Sequence, residues 1–192
     1  MRVEALLTST ALVALAEIGD KTQLLAILLA TRFRKPVPII CGILAATLLN
    51  HFLAAMVGHS VAGLLDSPLF RIIVALGFIA MGVWTLVPDR FEEDELHAPG
   101  NASVFGSTAI AFFLVEMGDK TQVATVALAA QFEDLVSVVL GTTCGMLLAN
   151  VPVVLFGGAA AARLPLKLIR GIAAAIFALL GLYILLGGIV GS

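Results

Sequence analysis

Six apolar runs divide this chain of 192 residues: Val3 to Ala30, Val37 to His59, Leu69 to Val87, Val104 to Ala130, Leu135 to Phe156 and Leu168 to Val190. Each is close to or above the roughly 20 residues that carry an α-helix across the hydrocarbon core of a bilayer. In lipid every backbone N–H and C=O must find its partner within the segment, so runs of this length read as helices. Composition agrees. The chain is 60% hydrophobic and 12% charged, about half the 25% charge of a soluble domain. The expected fold class is an all-α integral membrane protein with six transmembrane helices. A formal net charge of −2 with no basic run leaves no electrostatic footprint for nucleic acid, and this apolar content excludes intrinsic disorder.

The connections hold the polar punctuation: Arg32-Phe33-Arg34-Lys35-Pro36, Asp66-Ser67-Pro68, the stretch from Pro88 to Asn101, Glu133-Asp134, and Arg163-Leu164-Pro165. Basic residues are shared unevenly among them. The first, third and fifth connections carry Arg32, Arg34, Lys35, Arg90, Arg163, Lys167 and Arg170, whereas the opposite side has Arg2 and Arg71. The positive-inside rule places the first group in the cytoplasm and both termini outside. Arg2 ahead of an apolar run ending in Ala14-Leu15-Ala16 imitates a signal peptide. Cleavage there is not expected, because it would remove a segment that the second half of the chain repeats.

A shift of 99 positions superposes the two halves without a gap, since Glu17, Gly19, Asp20, Lys21, Thr22 and Gln23 fall on Glu116, Gly118, Asp119, Lys120, Thr121 and Gln122. Gly42 falls on Gly141, Gly58 on Gly157, Arg71 on Arg170, Phe78 on Phe177, Gly82 on Gly181 and Trp84 on Tyr183. Matches spread over three helices indicate a duplicated unit. The organisation read from this is a first three-helix repeat at residues 1–87, an acidic cytoplasmic linker at 88–101, and a second repeat at 102–192. Three is odd, so the second repeat enters the membrane from the opposite side. Inverted repeats are a signature of secondary transporters, whose substrate site lies near the midplane at the repeat interface.

Six charges fall inside apolar spans: Glu17, Asp20, Lys21, Glu116, Asp119 and Lys120. Ionisable residues at that depth cost at least about 2.5 to 3.5 kcal/mol each, so they read as functional. The alternative is a purely structural network of ion pairs. Glu17 and Asp20 are three apart and share a helix face, as do Glu116 and Asp119. Gly19 and Gly118 permit a close approach or a break that frees carbonyl oxygens. Each motif sits in a run of about 27 residues, or roughly 40 Å as a helix, longer than a core of about 30 Å requires, so a tilt or an interruption is expected there.

Bringing the motifs together gathers four carboxylates, with Thr22, Gln23, Thr121 and Gln122 as further oxygen donors. Hard oxygen ligands suit Ca²⁺, Mn²⁺ or Mg²⁺, and the lack of thiolate or paired His ligands disfavours zinc and copper. Four carboxylates and two lysines leave a deficit of two positive charges, which one divalent cation or two protons would neutralise. Clustered carboxylates in a low dielectric take up protons when the cation leaves, and a returning cation displaces them. Exchange of a divalent cation for protons follows, with stoichiometry open. Lys21 and Lys120 are either coupling groups or fixed ion-pair partners and snorkelling chains.

Asn50 and Asn150, one position out of register, are candidates for an outer coordination shell, and interhelical hydrogen bonding explains them equally well. His51 reads as a satisfied core residue, because no histidine recurs at Asn150. Gly42 with Ala46, and Gly141 with Gly145, are small-residue pairs suited to close helix packing. Trp84 and Tyr183 read as interfacial anchors. Cys41 and Cys144, with no CxxC pair, support neither a disulfide framework nor zinc, and are expected to be buried thiols. The segment Asp89-Arg90-Phe91-Glu92-Glu93-Asp94-Glu95 reads as a solvated link rather than a calcium loop, since it lacks EF-hand spacing.

The paired Glu-x-Gly-Asp-Lys-Thr motifs at Glu17 to Thr22 and Glu116 to Thr121, each in the first helix of a three-helix unit, resemble the Gdt family of cation/proton exchangers over essentially the whole chain. That resemblance implies Glu17, Asp20, Glu116 and Asp119 as cation-binding acids, with the neighbouring Thr and Gln as contributors. It implies export of Mn²⁺ from the cytoplasm against entering protons, in a bacterial inner membrane with both termini periplasmic. The divalent ion is cargo, and no resident cofactor is expected. A compact chain without a targeting extension looks like the bacterial members. The nearest rival keeps the fold and carries Ca²⁺, or both ions; further rivals are a passive divalent-cation channel, a thiol carrier using Cys41 and Cys144, and a metal-dependent intramembrane enzyme. The last lacks a nucleophile or base beyond the acids themselves.

Overall fold

The computed structural model describes residues 2–63, 67–87, 103–157 and 165–190, the last four by backbone alone. The acidic segment from Pro88 to Asn101, Asp66 and Arg163 lie outside the described residues. Among the described residues the regular elements are helices: α1 (Arg2–Glu17), α2 (Lys21–Phe33), α3 (Pro36–Val61), α4 (Pro68–Thr85), α5 (Val104–Glu116), α6 (Lys120–Phe132), α7 (Leu135–Phe156) and α8 (Leu166–Val190). Four of these, α3, α4, α7 and α8 over Leu166–Leu186, are long and apolar enough to cross a membrane, and α5 is a shorter apolar helix.

The runs expected as the first helix of each half are not continuous. Of the tilt or interruption the sequence allows, the structure takes the interruption. Gly19 has φ +81 and Gly118 φ +79, in the left-handed region where a helix of L residues cannot continue and glycine carries no Cβ penalty. The following Asp20 and Asp119 are extended, and each occupies the N-cap position of the next helix. The chain then re-enters a helix, so α1 with α2 and α5 with α6 are pairs separated by a glycine break.

The two broken pairs end alike. The backbone N–H of Arg34 donates to Ala30 O and that of Glu133 to Ala129 O, both from a left-handed residue with φ 52. Pro36 starts α3, where a missing N–H removes nothing from the ladder. Asp134 starts α7 by accepting from the Ser137 N–H at 3.1 Å and the Ser137 hydroxyl at 2.9 Å. Those bonds to the carboxylate hold Asp134 below its ordinary pKa.

Three helix pairs dominate the packing. α1 lies on α7 and α3 on α5, while α4 and α8 pack on each other. Phe78 of α4 meets Phe177 of α8 with ring centroids 6.4 Å apart. At that crossing a Cβ on Gly82 would lie 2.8 Å from Ala174 O, and one on Gly181 2.6 Å from Ala75 O. Gly42 approaches Phe105 O and Thr108, and Gly141 the equivalent Leu6 O and Ser9. Gly58 is tighter still, since a Cβ there would collide with the Val126 carbonyl of α6. The small residues thus let backbones touch, as van der Waals-driven association in lipid requires.

Polarity runs inward. Leu48, Phe52, Leu53 and Met56 of α3, and Leu140, Leu148, Leu155 and Phe156 of α7, are exposed, whereas Thr47, Asn50, His51, Thr142, Thr143 and Asn150 on the same helices are buried. That distribution suits a chain solvated by lipid. It also corrects the expectation for the cysteines: Cys41 and Cys144 are both exposed. A thiol behaves as a small hydrophobe, and an apolar solvent removes the penalty for leaving it outside.

If the α3–α6 crossing depends on backbone contact, Gly58→Ala lowers stability by about 1 to 3 kcal/mol through overpacking. Gly77, with nothing within 4 Å of a Cβ, is the control; Gly77→Ala is neutral or raises stability, as helix propensity dictates. Unfolding midpoints of the two variants in detergent micelles check this, and equal losses would remove the steric argument.

Candidate metal centre

The two breaks face each other across the bundle. Each delivers a glutamate from the last turn of one half-helix, then an aspartate, lysine, threonine and glutamine from the start of the next. Glu17, Thr22 and Glu116 are fully buried, and Asp20, Gln23, Asp119, Lys120 and Thr121 nearly so. Gln122 is half-buried.

Two ion pairs cross between the motifs. Lys21 Nζ lies 3.2 Å from Asp119 Oδ1, and Lys120 Nζ lies 3.1 Å from Asp20 Oδ1. Glu17 also bridges the halves, accepting hydrogen bonds from the hydroxyls of Thr22 and Thr121. One oxygen each from Glu17, Asp20 and Asp119 lies within 4.8 Å of the others. Ligands held roughly 2.0 to 2.6 Å from a shared cation stand about 3 to 5 Å apart, so this trio has the spacing of a coordination set.

Glu116 is placed differently from its counterpart. Neither carboxylate oxygen has a hydrogen-bond partner among the described residues, and Oε2 lies 3.9 Å from His51 Nε2. The glutamines serve the loops. Gly19 N–H donates to Gln23 Oε1 at 3.0 Å and Gly118 N–H to Gln122 Oε1 at 2.7 Å, while Gln23 Nε2 donates to Ala149 O at 3.0 Å. Of the candidate outer-shell residues, Asn50 Nδ2 donates to Phe113 O at 3.1 Å and Asn150 Nδ2 to Met146 O at 3.1 Å. Both amide oxygens are buried without a donor among the described residues.

The breaks are not equally covered. At Gly19 the Leu166 side chain of α8 closes over the loop, and Arg170 donates to Gly19 O at 2.8 Å. At Gly118 nothing among the described residues lies within 4 Å of a Cβ position, and neighbouring Met117 is 55% exposed. Sequence position groups Arg170 with the cytoplasmic flank, but its side chain turns to the motif. The one signal for it was its match to Arg71 across the repeat, which by itself carries no hint of a loop contact.

Comparison with known proteins agrees with the paired motifs. The family described as "Divalent cation/proton antiporter GDT1" matches residues 5–93 and 104–191. The chain belongs to the GDT1 family. A Vibrio cholerae serotype O1 protein named "Putative manganese exporter" is 49% identical over 181 residues, spanning 94% of this chain and 90% of that protein. The "GDT1-like protein 3" of Oryza sativa subsp. indica is 23% identical over 199 residues, spanning 91% of this chain and 71% of its own length. No solved structure matches. The GDT1 chain is therefore a divalent-cation transporter, not an enzyme, and its two matched segments each contain one broken helix pair.

Removing one partner of a buried ion pair leaves the other charge uncompensated, a loss of about 3 to 5 kcal/mol. Lys120→Met is expected to destabilise the GDT1 chain to that extent, and Lys120→Met combined with Asp20→Asn to regain much of it. Unfolding midpoints of the two variants test the crossed pairing; a double variant no better than the single one would contradict it.

Proposed function

We propose that this GDT1 protein exports Mn²⁺ from the cytoplasm in exchange for protons, across a bacterial inner membrane with both termini outside. In this reading α1 with α2, and α5 with α6, each form one interrupted span. With α3, α4, α7 and α8 they give six spans in two oppositely oriented halves.

The observation that carries the proposal is the charge pattern at the crossed motifs. Lys120 faces Asp20 and Lys21 faces Asp119, so the two glutamates hold the negative charge that the lysines do not balance. One divalent cation or two protons would neutralise it. The cation is held by Glu17, Asp20, Asp119 and Glu116, with the Thr22 and Thr121 hydroxyls orienting Glu17 and offering lone pairs. Gln23 and Gln122 keep the glycine loops in shape. When the cation departs, protons take its place on the carboxylates, and the reverse replacement completes the cycle.

The unequal covering of the breaks supports alternating access. Leu166 and Arg170 close the Gly19 side, while the Gly118 side is uncovered among the described residues. Rocking of one half against the other would exchange these roles, as inverted repeats do in secondary transporters. Manganese is preferred as cargo because the Vibrio relative bears that name; Ca²⁺ uses the same oxygen chemistry and is the second reading.

The test is reconstitution in proteoliposomes with a lumenal pH dye. Mn²⁺ added outside should drive proton movement, with Ca²⁺, Mg²⁺ and Zn²⁺ titrated in turn. Glu17→Gln, Asp20→Asn, Glu116→Gln and Asp119→Asn should each abolish it, and undiminished exchange in all four would end the assignment. Electrical recording separates a channel, which passes cations without stoichiometric proton counterflow.

A further inference from the structure

We propose that His51 is a nitrogen ligand to the transported cation on the Glu116 side of the centre, and that it biases the site toward a transition-metal ion over Ca²⁺ and Mg²⁺. The inference rests on the reading of the motifs as a cation site. It adds to that site a residue from outside the motifs, on α3, that sequence alone reads as ordinary core.

His51 has no exposed surface, and both its Nδ1 and Nε2 lack a hydrogen-bond partner among the described residues. The facing Glu116 carboxylate is in the same condition. Buried polar atoms are nearly always paired, so two adjacent groups left unmatched require a reason. Their closest approach, 3.9 Å between Nε2 and Glu116 Oε2, is too long for a hydrogen bond. It falls within the roughly 3 to 5 Å that separates two ligands of one metal ion held at about 2.0 to 2.6 Å. Glu17 shows the contrast: its oxygens are taken by two threonine hydroxyls, whereas Glu116 presents Oε2 to an imidazole.

The chemistry of the donor decides selectivity. Ca²⁺ and Mg²⁺ are hard ions that take oxygen, and imidazole adds affinity chiefly for first-row transition metals. A carboxylate cage alone would rank these ions by size and geometry. One nitrogen in the cage shifts the ranking toward the transition metal. The 99-residue register places Asn150 opposite His51, and its Oδ1 is likewise buried without a donor among the described residues. The two halves thus present a nitrogen donor at one position and an amide oxygen at its mate.

Pulsed electron paramagnetic resonance of the full chain in detergent, loaded with Mn²⁺ alone, reads this directly. Bound Mn²⁺ should show ¹⁴N modulation from an imidazole, replaced by ¹⁵N features when histidine is selectively ¹⁵N-labelled in the unaltered chain. The modulation should vanish in His51→Gln and persist in His59→Gln. In the folded His51→Gln protein, Mn²⁺ affinity should fall on the order of tenfold, with Ca²⁺ affinity changed less than about twofold. Bound Mn²⁺ without histidine nitrogen, or with modulation that survives His51→Gln, overturns the proposal while leaving the carboxylate site intact. Absence of any specifically bound Mn²⁺ overturns the site itself. Should His51→Gln fail to fold, the labelled wild-type spectrum together with the His59→Gln, His97→Gln double variant, which leaves His51 as the one histidine of the sequence, still decides.

Discussion

A carboxylate held in an apolar helix bundle loses its hydration, and this chain holds four of them at its centre. The crossed lysine pairs answer that constraint in a particular way. Lys21 neutralises Asp119 and Lys120 neutralises Asp20, so the basic residue of each motif serves the acid of the other. The two halves are thereby tied together electrostatically where they are most polar. The Thr121 hydroxyl, reaching from the second motif to Glu17 of the first, repeats the exchange. In a low dielectric these contacts are strong when complete and unfavourable when broken, which makes the centre a junction between the two motifs.

The helix breaks make such a junction possible. A continuous helix would point Glu17 and Asp20 along one face but keep its own carbonyls and N–H groups occupied. The left-handed glycine ends one half-helix and the extended aspartate begins the next, so each aspartate sits at a helix N-terminus, where the macrodipole favours negative charge. The loops themselves need internal support, and Gln23 and Gln122 provide it by accepting from Gly19 and Gly118. Side chains that a reading of donor types assigns to an ion are thus engaged with backbone in this conformation.

Around the junction the packing is dictated by the solvent. Leu48, Phe52 and Met56 of α3 and Leu140, Leu148 and Leu155 of α7 face outward, and Thr47, Asn50, His51, Thr142, Thr143 and Asn150 face in. With no hydrophobic gain from helix association in lipid, the bundle relies on close contact. Gly42, Gly58, Gly82, Gly141 and Gly181 supply it at crossings where a side chain would meet a backbone carbonyl or a neighbouring β-carbon. The same close packing carries α8 onto the Gly19 loop.

Much of this was legible beforehand. Run length fixed the helical class, the 99-residue register related the two motifs, and glycine between acids announced a disturbance in the helix. These are local properties, determined by composition and spacing against the thickness of a bilayer. What the tertiary structure decided were pairings across sequence: which lysine faces which aspartate, why Glu17 and Glu116 differ despite identical motifs, that Arg170 caps a loop 151 residues away, and that His51 looks at Glu116. A repeat in sequence makes equivalent residues alike in type, but only the packing of one particular conformation makes their surroundings unequal, because surroundings are set by contacts between distant segments.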